Sequence, residues 1–120
     1  MSKRLGMAVL LVATAVAACD EKLSDVAGPT IRTATVTIQP SARTLATAAF
    51  VPNPATLSAG GVVTWMNTDT TTHDMVSDTG LWDSGRMAPG ASYQFTLSSK
   101  GSFPYHCSIH PGMTGTIIVQ

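Results

Sequence analysis

The sequence predicts an all-β body closed as a sandwich or barrel, and three observations carry that expectation. From Thr33 onward β-branched residues dominate, no stretch shows helical periodicity, and short strand-like runs are separated by Pro, Gly and Asn turn signals. Thr33-Ala34-Thr35-Val36-Thr37-Ile38-Gln39 alternates apolar and polar side chains, as a strand with one buried face does, and Pro40, lacking a ladder N–H, ends it. Further strands are expected at 48–51, 61–67, 73–77, 81–84, 92–97, 102–107 and 114–119. Pro52-Asn53-Pro54, Ala59-Gly60-Gly61, Ala88-Pro89-Gly90 and Lys100-Gly101 supply the turns between them. Trp65 and Phe95 fall in strand centres and are expected in the core.

At 120 residues the chain has room for one domain. Apolar residues make up 44% and charged residues 12%, enough for a core and too little charge for disorder. From Cys19 onward five basic residues face seven acidic ones, so that part carries a charge of minus two. No Lys/Arg cluster with interleaved aromatics is present, which excludes the electrostatic footprint of nucleic-acid binding.

The first residues read as an address. A basic start at Met1 to Arg4 precedes an apolar stretch from Leu5 to Val16 and the small residues Ala17-Ala18, the layout of a signal peptide over 1–18. The apolar run is shorter than the roughly 20 residues of a membrane-spanning helix. Val16-Ala17-Ala18-Cys19 resembles a bacterial lipobox, which implies lipidation of Cys19. Ordinary cleavage after an Ala-x-Ala site would instead leave a free cysteine there. Residues 19–32 read as a lipidated N-terminus and flexible tether, and 33–120 as the folded domain.

Chemistry is concentrated in one loop. Apart from Cys19, Cys107 is the only cysteine, so it has no partner for an internal disulfide and is a free thiol, a pairing hazard or a ligand. Cys107-Ser108-Ile109-His110-Pro111-Gly112-Met113 presents a thiol, an imidazole and a thioether at three-residue intervals between two strands. Two histidines and a thiolate in a plane, with a weak axial methionine, are the donors of a blue-copper site. Thiolate and thioether suit Cu(I), imidazole suits both oxidation states, and a compromise geometry keeps reorganisation small. His73 is the candidate for the second imidazole. A hydrolase built on Cys107 and a histidine base would leave Met113 without a role.

Phe103-Pro104-Tyr105-His106-Cys107-Ser108-Ile109-His110-Pro111-Gly112-Met113 followed by Thr114-Gly115-Thr116-Ile117-Ile118-Val119 resembles the copper loop and last strand of the plastocyanin and amicyanin group of cupredoxins. Its Cys-x2-His-x2-Met spacing is similar to that of amicyanin. Val62-Val63-Thr64-Trp65-Met66-Asn67 leading to His73 resembles the strand and loop that deliver the first histidine. The resemblance implies a Greek-key β-sandwich of about eight strands, one type 1 copper ion on His73, Cys107, His110 and Met113, and an electron exit at the His110 ring edge. It implies no enzyme activity and a single-electron carrier, with copper delivery, buffering or sensing as the alternative. The partners implied are redox proteins such as a c-type cytochrome, a dehydrogenase or an oxidase, met by a monomer on the periplasmic side of a bacterial membrane. A binuclear centre is disfavoured, because it resembles a loop with two cysteines.

Other residues have plainer expectations. His106, adjacent to Cys107 on a strand, should face away from the ion. Met66, Met75 and Met87 are expected as core gap-fillers rather than a methionine-rich copper store. The acids Asp69, Asp74, Asp78 and Asp83 are expected in solvated loops, with a docking patch for a basic partner as the alternative, and the loop Thr68 to Thr72 is expected to be solvated and without chemistry of its own. Family members often carry Asn or Thr after the first histidine, whereas this chain has Asp74, whose side-chain role the sequence leaves open.

Overall fold

A computed structural model describes residues 28–120. The signal stretch, Cys19 and most of the tether lie outside the described residues. Eight strands follow in order: β1 (Thr33–Ile38), β2 (Phe50–Val51), β3 (Ala55–Leu57), β4 (Gly61–Asn67), β5 (Val76–Ser77), β6 (Ser92–Leu97), β7 (Gly101–His106) and β8 (Thr114–Val119). They form two four-stranded sheets, β2-β1-β4-β6 and β3-β8-β7-β5, packed as the expected Greek-key sandwich. β1 runs parallel to β4 and β3 parallel to β8, while the remaining pairs are antiparallel.

Alternation explains which strands form. β4 buries Gly61, Val63, Trp65 and Asn67, and β8 buries Gly115, Ile117 and Val119, each on one face. The core joins both sheets through aromatic rings. The Trp65 centroid lies 5.4 Å from Trp82 and 5.3 Å from Tyr105, which in turn packs 5.0 Å from Phe50. Tyr105 reaches that position because its register partner is Gly115. A Cβ on Gly115 would meet the Tyr105 ring at 2.5 Å, so the ring occupies the space a side chain would need.

Several expectations need correction. The segment 81–84 is no strand: Asp83 makes a single bridge to Val76, and Trp82 turns its indole into the core. Of 73–77 only Val76–Ser77 is strand, since His73 bridges Met87 and the backbone between is irregular. The segment 48–51 begins as a 3-10 turn over Ala46–Ala49 before β2. β3 is not legible in the sequence, because three residues squeezed between Pro54 and Ser58 look like a turn. Met75 and Met87 are buried, but Met66 is 43% exposed, since it points outward from β4 beside the inward Trp65. Phe95 is half-buried against the core and Trp65 fully buried.

One end of the sandwich collects the chemistry. β7 ends at His106 opposite the start of β8, and Val76 of β5 pairs with the same His106. The loop from β4 to β5 and the loop from β7 to β8 therefore meet there.

Candidate metal centre

The site rests on two loops held in place by the ends of β4 and β7. Asn67, the last residue of β4, is buried and organises the first loop: its Nδ2 donates to Thr71 O at 2.9 Å and Met87 O at 3.0 Å, while its Oδ1 accepts the Asp69 N–H at 3.0 Å. The backbone of His73 is fixed by a reciprocal pair with Met87, at 3.1 and 2.7 Å. In the second loop the Cys107 N–H donates to Met113 O at 3.0 Å and the Met113 N–H to His110 O at 2.9 Å, closing residues 107–113 into a compact turn.

These backbones bring three donor atoms together. His73 Nδ1 lies 3.8 Å from Cys107 Sγ, His110 Nδ1 lies 3.9 Å from the same sulfur, and the two nitrogens are 3.2 Å apart. A point equidistant from the corners of a triangle with those sides is about 2.1 Å from each, close to a metal–imidazole bond of about 2.0–2.1 Å. The donor set and its spacing therefore fit a metal ion. His73 and Cys107 are fully buried and His110 is half-buried. Met113 is fully buried in the same loop.

The tautomer of His73 follows from its other nitrogen. Nε2 lies 2.8 Å from Asp69 Oδ2, an acceptor only, so Nε2–H donates and leaves the Nδ1 lone pair facing the cluster. Asp69 is itself over-determined, with Oδ1 accepting the N–H groups of Ser41 at 3.0 Å and Thr70 at 2.8 Å, and Oδ2 the Thr71 hydroxyl at 2.9 Å. Burial pushes its carboxyl up, but the bonds from His73, Ser41, Thr70 and Thr71 outweigh that and hold it well below the usual carboxylate range. The expectation of a solvated Asp69 and an idle Thr-rich loop is thus overturned: both serve to orient His73. Nothing in the sequence distinguished Asp69 from an ordinary loop acid, because its role depends on where β4 delivers it.

Asp74 is also buried, contrary to expectation. Its Oδ1 accepts the Ser108 N–H at 2.6 Å, and its Oδ2 accepts the Ser108 hydroxyl. The contact ties the residue after His73 to the residue after Cys107. Against the upward push of burial, the bonds from Ser108 hold the Asp74 carboxyl below its ordinary value. At Cys107, burial pushes the thiol up, while the N–H groups of Asp74, His110 and Ile109 facing the sulfur act in the opposite direction. Burial prevails and the thiol stays above its ordinary value; a bound cation would reverse this by displacing the proton.

His106 points away, as alternation along β7 requires, and its Nδ1 meets Asp78 Oδ1 at 2.6 Å on the surface. Ile109 and Pro111 are exposed beside His110, which places its ring at an apolar opening. Among the described residues no helix is long and apolar enough to cross a membrane.

Comparisons with known proteins agree with this geometry. The family model described as "Cupredoxin-like domain" matches residues 6–119. A plastocyanin from Cucumis sativus is 36% identical over 88 residues, covering 60% of this chain and 88% of its own length. A plastocyanin from Scenedesmus fuscus is 36% identical over 84 residues, covering 59% and 86%. Among solved structures, a purple cupredoxin from Nitrosopumilus maritimus superposes with a TM-score of 0.67 at 26% identity, covering 72% of this chain and 99% of that one. A Cu(I) form of an amicyanin variant shares the fold with a TM-score of 0.60 at 24% identity, covering 81% and 88%. On its fold, its His–Cys–His cluster and these matches, the chain belongs to the cupredoxin family of the plastocyanin and amicyanin type, whose members are copper electron carriers and not enzymes.

Proposed function

We propose that His73, Cys107, His110 and Met113 hold one type 1 copper ion, and that the chain passes single electrons between redox proteins outside the cytoplasm. The observation that carries this reading is the triangle of His73 Nδ1, Cys107 Sγ and His110 Nδ1, buried except at the half-exposed His110. Bound there, copper supplies a one-electron Cu(II)/Cu(I) couple. The protein's contribution is to fix the donors in advance. Asp69 orients the His73 ring, the sandwich excludes water from Cys107, and the loop closure Cys107 N–H to Met113 O sets the buried thioether on the same turn. Because the donors are held by backbone bonds outside the cluster, little has to move when the charge changes. The His110 ring edge, flanked by Ile109 and Pro111, is where a partner protein approaches closely enough for exchange.

In the same reading, 1–18 is a signal peptide, Cys19 carries the lipid, 19–32 is the tether and 33–120 the copper domain. Lipid-labelled protein that loses its label in Cys19→Ala tests the anchor. For the centre, Cu(II) added to the purified domain is expected to give an intense thiolate charge-transfer band with narrow hyperfine splitting, lost in Cys107→Ser and in His73→Ala. Persistence of the band in His73→Ala would remove His73 from the ligand set. Fast electron exchange with a c-type cytochrome supports the carrier role, whereas rapid surrender of copper to a competing chelator with slow exchange supports copper delivery.

A further inference from the structure

We infer that Asp74 sets the oxidation-state bias of the centre, holding bound copper toward the cupric form through a buried negative charge that no basic side chain among the described residues neutralises. The inference rests on the copper reading above and adds what that reading leaves open, the direction in which the site is poised.

Both Asp74 oxygens act as acceptors toward one residue, taking the Ser108 N–H and the Ser108 hydroxyl. An amide could keep both contacts, its oxygen accepting the Ser108 N–H and its N–H donating to the Ser108 hydroxyl, so what the carboxylate adds is the negative charge. Both donors are neutral, so the charge is solvated by hydrogen bonds but not cancelled. Among the described residues the only ion pairs join His73 to Asp69 and His106 to Asp78, and neither involves Asp74. Arg43 shares a surface hollow with Asp69 that Asp74 does not line, and makes no ion pair there. Asp74 is 7% exposed and lies one residue from His73, with its N–H facing the Cys107 sulfur.

The electrostatic sign is fixed. Reduction adds one electron and no proton, taking the metal from a charge of plus two to plus one. A nearby negative charge stabilises the more positive state, so Asp74 disfavours reduction and makes the reduced protein a stronger electron donor. The interaction is weakly screened, because burial keeps water and salt away.

The test is a redox titration of the copper-loaded protein with mediators, read beside its absorption and electron-spin spectra. Asp74→Asn keeps the shape and removes the charge, and is expected to shift the Cu(II)/Cu(I) equilibrium about tenfold toward Cu(I), which is 59 mV for one electron. The charge-transfer band should remain. Ser108→Ala keeps the charge and loosens the clamp; it is expected to speed copper release while moving the equilibrium far less than Asp74→Asn. Ser108 is exposed, so Ser108→Lys brings an ammonium to Asp74 without touching the core and should shift the equilibrium the same way as Asp74→Asn, including where that variant fails to fold. An equilibrium that moves less than twofold in Asp74→Asn, or in Ser108→Lys, overturns the inference, as does an equal shift in Ser108→Ala. Absence of the charge-transfer band in the unaltered protein overturns the copper reading instead, and this inference with it.

Discussion

At the scale of single residues, the centre depends on side chains that never touch the ion. Asp69 is the clearest, because its carboxylate accepts the His73 Nε2–H and so fixes the tautomer and aim of the ring. Asp69→Ala removes the acceptor of His73 Nε2–H and leaves the Ser41 and Thr70 N–H groups without their partner. Loss of such an outer carboxylate typically weakens metal affinity about 10–100-fold. A copper-affinity measurement by chelator competition is expected to show a fall of that size, and unchanged affinity would mean that packing alone orients the ring. The contrast with Cys107, His110 and Met113 is instructive. Those three were legible because they share one short loop and one coordination preference, so spacing alone brings them together. His73 is 34 residues from Cys107, so spacing does not place it, and the need for a second imidazole together with the family resemblance names it. Asp69 stands between threonines and Asp74 follows His73, and an acid in such a polar stretch is usually solvated; their burial is decided by the tertiary meeting of two loops.

At the scale of elements, strands with clean alternation were legible and those made by their neighbours were not. β4, β6 and β8 appear at the expected limits, because each carries six or seven residues with one buried face. The 81–84 run carries Leu81 and Trp82, which read as a strand, yet Leu81 is exposed and only Trp82 is buried, so its hydrophobicity serves the core without a ladder. The pairing of β7 with β8 offers a sharp test of how the core is built. Tyr105 lies across Gly115, and a methyl group at 115 would stand 2.5 Å from the ring carbon and the phenol oxygen. Because the obstructing atoms belong to a buried aromatic wedged between Trp65 and Phe50, the ring has no free space to enter. Gly115→Ala is expected to cost about 1–3 kcal/mol, the usual range for overpacking, seen as a lower denaturation midpoint. Gly115→Ala combined with Tyr105→Leu, which clears the ring, should lose less than the two single changes summed.

At the scale of the whole molecule, the interior holds polar atoms that folding leaves without partners, and the protein's two phenols shape its response to alkali. Among the described residues, Trp65 Nε1, Trp82 Nε1 and the Tyr105 hydroxyl find no hydrogen-bond partner although they are buried. Burial pushes the Tyr105 phenol well above its ordinary range, and burial followed by the charge of Asp83 pushes Tyr93 up as well. These are both tyrosines of the chain. In the unfolded state each titrates near pH 10, while in the folded state each keeps its proton to higher pH. The folded state then binds more protons than the unfolded one, so the stability these two phenols contribute is complete below about pH 10 and falls as pH rises toward the folded values. Each such group contributes a slope of at most about 1.4 kcal/mol per pH unit, less for the half-buried Tyr93. Denaturant midpoints measured between pH 9 and about 11.5 should therefore decline, and Tyr105→Phe should flatten the decline. The same substitution deletes a buried hydroxyl without a partner, whose desolvation costs about 1–3 kcal/mol, so at neutral pH it is expected to raise stability by about 1 kcal/mol. A variant that is less stable at neutral pH would show that the hydroxyl has a partner after all, the Trp65 indole N–H that faces it being the first candidate.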